Sequence, residues 1–127
     1  MPTGAFDDAR LSSAGLRAFW KIAELWQLTD EEQITLLGLT SQSTLRRWRS
    51  GQVKRIGRDT LERISYVLGI YKAIHTLIPV RERADAWIRR PNKAPFLNGS
   101  SALDRLVLGN VSDLYVVRQY LDAELAR

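Results

Sequence analysis

With 127 residues, 45% of them apolar and 26% charged, the chain has the length for one ordinary domain or two small ones and enough apolar content to fold, which excludes a disordered chain. No apolar run reaches the roughly 20 residues of a membrane helix, and the first ten residues carry Asp7 and Asp8 without an apolar signal core, so no membrane contact and a cytoplasmic location are expected. Absence of cysteine excludes a disulfide framework, a thiolate nucleophile and a Cys-based zinc site, and the net charge of +5 is concentrated: residues 40–78 hold a net +6, whereas residues 1–39 hold a net −3.

In chain order, residues 1–13 read as a flexible N-terminus. Leu16, Phe19, Trp20, Ala23 and Trp26 then recur at helical spacing, with Arg17, Lys21 and Glu24 between them, which predicts a helix over 14–27. Thr29-Asp30-Glu31-Glu32 has the form of a capping box and opens a short helix that Gly38 stops. Thr40, Ser41 and Ser43 are each able to cap the next helix, which runs to Ser50 and ends at Gly51. Two short helices joined by a glycine-containing turn, the second rich in arginine, have the outline of a helix-turn-helix. A fourth helix over 59–78 is halted by Pro79. Its apolar residues fall in two stripes, Leu61, Ile64, Leu68, Tyr71, His75 and Ile78 beside Val67, Ile70, Ile74 and Leu77, so it is expected to be central or shared with a partner chain. A helix over 81–90 surrounds Trp87, and residues 91–101 form a loop with two prolines and a glycine. The last two helices are expected over 102–108, capped by Ser100 or Ser101, and from a Ser112 cap to about residue 125. The fold class is therefore all-α.

In the third helix Leu45 and Trp48 are three residues apart and would pin it to the body, leaving Arg46, Arg47 and Arg49 pointing away, with Ser43 and Thr44 at its start. Arginine can bond guanine at two atoms, and small hydroxyl side chains at a helix N-terminus can approach base edges or phosphates, so this helix is expected to read DNA. Lys54, Arg55 and Arg58 follow it and are expected to grip the phosphate backbone. A solvated basic face is the plain alternative, but a capped helix, a glycine turn and a buried pair at the same place favour DNA over it, and no aromatic strand motif favours RNA.

Groups for catalysis are few. His75 is the one histidine, lies on an apolar stripe, and has no carboxylate at i+3 or i+4, so it is read as a core or interface residue and neither a metal nor a cofactor is assigned. Paired acids such as Asp30 with Glu31, or Asp122 with Glu124, suit helix ends and exposed faces. No catalytic residue is expected. Trp20, Trp26 and Trp48 are read as packing.

Trp87-Ile88-Arg89-Arg90-Pro91-Asn92, then Ala94-Pro95-Phe96-Leu97-Asn98-Gly99-Ser100-Ser101-Ala102-Leu103-Asp104 and Gly109, resemble the toxin-binding domain of the Xre/MbcA/ParS antitoxins. Leu36-Leu37-Gly38-Leu39 with Thr44-Leu45-Arg46-Arg47-Trp48 resembles that family's helix-turn-helix, and Arg63-Ile64-Ser65 through Gly69-Ile70-Tyr71 its connecting helix. The resemblance implies a helix-turn-helix N-terminal half, 14–68, packed on a small helical toxin-binding half, 69–127. It also implies a partner, a RES-domain toxin that consumes NAD or transfers ADP-ribose from it, together with repression of the shared operon by binding operator DNA, and a homodimer within the complex. Carried onto this sequence, the toxin-facing residues are Asn92, Phe96, Asn98, Gly99, Ser100 and Leu103, with Tyr115 and Tyr120. Many relatives have a glycine-arginine pair where Asn98-Gly99-Ser100 stands, and many have a glycine and aromatic tail after the last helix. The competing readings are a helix-turn-helix regulator whose C-terminal half binds a small ligand or only dimerises, and an adaptor that has lost DNA binding.

Overall fold

A computed structural model describes residues 5–53 and 55–127, with side chains from Ser12 onward. Its elements are α1 (Ala5–Leu25), α2 (Asp30–Leu37), α3 (Gln42–Arg49), α4 (Arg58–Leu77), α5 (Arg81–Trp87), α6 (Ala102–Leu106) and α7 (Val111–Leu125). Among the described residues the one β feature is an isolated antiparallel bridge between Pro91 and Ser101, so the fold is all-α as expected. The chain divides into two compact units, Met1–Ser65 and Tyr66–Arg127.

In the first unit α1 buries Leu16, Phe19, Ile22 and Ala23, and Trp26 just past its end continues the stripe that their 3–4 residue spacing defines. The helix begins at Ala5, so residues 5–13 are helical where a flexible leader was expected. At the start of α2 the Thr29 hydroxyl accepts from the Glu32 N–H at 3.1 Å, and the Glu32 carboxylate accepts from the Thr29 N–H at 2.9 Å. Gly38 ends α2 in the left-handed conformation, φ 72°. Two carbonyls at the helix end accept from α4: Thr60 Oγ1 donates to Leu37 O at 2.8 Å and Arg63 Nη1 to Thr35 O, which also accepts from the Gly38 N–H, at 3.1 Å. Arg63 also pairs with Asp59 at 2.9 Å, and both side chains lie so close that a Cβ on Gly38 would sit 2.7 Å from Arg63 Nε. Leu36, Leu37, Leu45, Ile56 and Ile64 complete this core.

The second unit buries Val67, Ile70, Ala73 and Ile74 of α4, Ala84 and Ile88 around α5, Leu97, and the apolar residues Ala102, Leu103, Leu106, Leu114, Val117 and Leu121 of α6 and α7. Ser101 caps α6, accepting from the Asp104 N–H at 3.0 Å while Asp104 accepts from the Ser101 N–H at the same distance. The α7 cap is Asn110 rather than Ser112, because Asp113, three residues on, accepts from the Asn110 N–H at 3.0 Å. Asp113 also receives Arg105 Nε at 2.8 Å, joining the end of α6 to the start of α7. Burial works to raise its carboxyl, but the Arg105 bond and the Asn110 groups outweigh it and hold the carboxyl below its usual range. At Gly69 the Arg118 guanidinium lies directly against the backbone, where no Cβ would fit, and Arg118 is held there by Asp122 at 3.1 Å.

Candidate functional site

In the first unit α3, the helix expected to read DNA, is fixed from its buried side by Leu45 and from its start by Ser41, whose hydroxyl accepts from the Thr44 N–H at 3.3 Å and bonds the Thr44 hydroxyl at 2.9 Å. Ser43, Arg46 and Arg47 are exposed, Thr44 is half-buried, and Arg47 Nη2 donates to Thr44 Oγ1 at 3.2 Å. Arg49 does not point away with them. Its guanidinium turns back to Asp30 Oδ1 at 3.0 Å and Gln33 Oε1 at 3.2 Å and lies 6.0 Å from the Trp20 ring. Gln33 is buried and donates in turn to Leu28 O at 3.0 Å, while Gln42 donates to Asp30 at 3.2 Å. The Arg49 bond, then the Gln42 bond, lower the Asp30 carboxyl below its ordinary value. This network ties α3 to α2, so Arg49, although exposed, is engaged by α2 and does not project with Arg46 and Arg47.

Beside α3 runs a cleft of about 780 Å³ whose walls include Arg17, Trp20, Trp48, Arg49, Arg55 and Arg58. Of the three tryptophans read as packing, only Trp26 is fully buried; Trp20 and Trp48 are half-buried and floor this cleft. Arg55 and Arg58 are exposed on its wall, where a phosphate backbone could be held, and Lys54 lies outside the described residues.

In the second unit residues 91–101 form a closed loop. The Asn92 N–H donates to Ser100 O at 3.0 Å and the Gly99 N–H to Asn92 O at 3.0 Å, so the strand-like bridge of Pro91 with Ser101 continues into the loop. Asn92 Oδ1 accepts from the Ala94 N–H at 2.8 Å and Ser100 Oγ donates to Leu97 O at 2.6 Å. These two predicted toxin-facing side chains therefore shape the loop, with Leu97 as its buried plug. Asn98 and Gly99 form the exposed tip in left-handed conformations, φ 50° and 87°. At Gly99 a Cβ would meet nothing within 4 Å, so the backbone conformation alone favours glycine there.

Phe96 packs on Tyr120 of α7, ring centroids 5.2 Å apart, and both are half-buried. Tyr115 is not brought to them: five residues from Tyr120, it projects about 140° away around the helix and packs edge-on against Tyr66 at 6.1 Å. Leu103 is corrected from a toxin-facing residue to a core one, since it is 4% exposed and its N–H donates to Ile88 O at 2.9 Å. Leu77 and Ile78, which the sequence places on the apolar stripes of α4 without assigning them to a site, line a small groove with Trp87 and Tyr120 between α4, α5 and α7. The usable signal was the exposed end of the double apolar stripe on α4, where Leu77 is left 37% exposed.

His75 is tied to Asp85 at 2.7 Å and stacked on Tyr71 at 4.2 Å, a partner ten residues on that helical spacing does not reveal. Among the described residues no group of three or more His, Cys, Asp or Glu side chains is placed to hold a metal ion. Nor is any described helix long and apolar enough to cross a membrane.

The geometry defines a helix-turn-helix protein with an appended helical unit that presents a tied, aromatic-backed loop. Residues 5–69 match the antitoxin Xre-like helix-turn-helix domain, and residues 76–126 match the antitoxin Xre/MbcA/ParS C-terminal toxin-binding domain. The chain belongs to the Xre/MbcA/ParS antitoxins. It is also 48% identical over 118 residues to the uncharacterized protein y4oB of Sinorhizobium fredii (strain NBRC 101917 / NGR234), an alignment that covers 93% of this chain and 88% of that one.

Proposed function

We propose that this antitoxin binds and blocks a RES-domain toxin that degrades NAD or transfers ADP-ribose from it, and that the pair represses its own operon. The chemistry belongs to the toxin; this chain contributes a surface that covers the toxin's substrate cleft and a second one that holds operator DNA. The observation that carries the reading is the pairing, in one chain, of an arginine-bearing recognition helix with a C-terminal toxin-binding domain. Ser43, Thr44, Arg46 and Arg47 contact bases or nearby phosphates, and Arg55 and Arg58 contact the backbone. On the toxin side the contacts come from Phe96, Asn98, Gly99 and Tyr120, with Asn92 and Ser100 holding the loop in shape. The chain acts as a homodimer, matching the two-fold symmetry of many operators.

The test is co-expression with the product of the neighbouring gene in a host whose growth and NAD content are followed. Rescue of both by the native chain, with a complex that survives purification, is the expected result. Rescue that fails, or a neighbour without a RES fold, would leave a DNA-binding regulator whose C-terminal unit serves another partner.

A further inference from the structure

We infer that the toxin anchors an apolar side chain in the groove between the ends of α4, α5 and α7, using Leu77, Trp87, Tyr120 and Leu121 as its walls. The inference rests on the toxin-binding reading of the second unit and names the surface that does the binding. The groove holds about 180 Å³, room for a single large apolar side chain rather than a small-molecule substrate, whose pockets run to roughly 300–1,000 Å³.

Exposed aliphatic residues lie beside it. Among the described residues the large hydrophobics that stand exposed are Leu77, Val80, Leu108, Tyr115 and Leu125. Leu77 lines the groove, Val80 follows α4 where it ends, and Leu125 lies one helical turn beyond the lining residue Leu121, on the same face of α7. Interfaces carry their anchor residues in concave apolar pockets near the centre of the contact. Glu124 closes one end, its carboxylate already paired with Arg127 at 3.1 Å, so the groove offers no charge that an apolar side chain would leave unmet.

Two observations assign the occupant. All of the lining residues except Ile74 fall inside the span 76–126 that matches the toxin-binding domain. Tyr120 is both a wall of the groove and the ring on which Phe96 packs, so the groove is continuous with the loop whose tip is Asn98-Gly99. One partner covering loop and groove together would bury both aromatics, which is more than the loop alone offers.

The chain contains no cysteine, so single-cysteine variants report each position without interference. Leu77→Cys, Leu125→Cys and, as a control at a 66% exposed position outside the groove lining, Leu108→Cys are prepared in the full-length chain, free and in complex with the toxin co-purified from its operon. Alkylation by N-ethylmaleimide is followed by intact mass. Expected is at least a ten-fold slowing at 77 and 125 in the complex and no change at 108. In parallel, Leu77→Asp should keep the native circular dichroism spectrum and weaken toxin binding at least ten-fold.

Equal alkylation rates at 77 in free chain and complex would overturn the groove while leaving the toxin-binding reading intact. Protection of 77 in the free chain that rises with its concentration would give the groove to a second copy and overturn it also. Failure of the native chain to form any toxin complex would overturn both readings together.

Discussion

Replacing Asp113 with asparagine should destabilise the second unit in a way that pH reveals. The carboxylate is 6% exposed, receives Arg105 at 2.8 Å and the Asn110 N–H at 3.0 Å, and thereby joins α6 to α7. Asparagine keeps the shape but removes the charge. One charge-assisted bond is lost, and Arg105, 29% exposed, retains enough water that the full penalty of an orphaned buried charge does not apply; the cost is about 1.5–3 kcal/mol at pH 7. Because the folded carboxyl is held below the ordinary aspartate range, its contribution is complete above that range and disappears as pH falls through the folded pKa. Urea denaturation of both proteins, followed by far-UV circular dichroism from pH 7 downward, should show a gap that is constant near neutrality and narrows below about pH 4. Equal stability at pH 7, or a gap that widens in acid, would refute the argument.

Three further outcomes are expected. Gly38→Ala places an L side chain in a left-handed position and pushes Arg63 off Thr35 O, which should cost about 2–4 kcal/mol in a urea melt. Arg46→Ala and Arg47→Ala should each weaken operator binding by about 1–3 kcal/mol in fluorescence anisotropy and relax base preference, whereas Arg49→Ala should chiefly lower the stability of the first unit and show coupling to Asp30→Ala in a double-mutant cycle. Arg55→Ala and Arg58→Ala should each reduce the slope of log affinity against log salt by about 1 without changing base preference; an unchanged slope would remove them from the DNA contact.

Much of the fold was legible because the signals that bound its helices are local. Thr29 and Glu32, Gly38, Ser41, Ser101 and Pro79 stand within a few residues of the ends they define, and the structure uses them as the sequence suggests. The start of α7 was misread because asparagine and serine are comparable caps, and the choice fell to Asp113, which can reach the Asn110 N–H. Interactions between elements were less visible. Nothing in the local pattern of α3 shows that Arg49 meets Asp30, nineteen residues earlier, or that His75 meets Asp85. The loop 91–101 was found through resemblance to a family, and that route does not separate residues that build it, such as Asn92 and Ser100, from those that face outward, such as Asn98.

The helix-turn-helix itself shows why arginine number is a poor measure of DNA contact. At eight residues each, α2 and α3 are shorter than the roughly 12–15 residues at which an isolated helix becomes even marginally stable, so their geometry must come from tertiary contacts. The chain supplies these partly from basic residues: Arg49 is committed to Asp30 and Gln33, and Arg63 to Thr35 O and Asp59. An arginine held in this way reduces the freedom of α3 in the free protein, so whatever α3 binds meets a helix already ordered. Exposure on a basic helix therefore has to be read together with the carboxylates of the preceding helix. In this chain Asp30, the first residue of α2, takes up Arg49 and leaves Arg46 and Arg47 exposed.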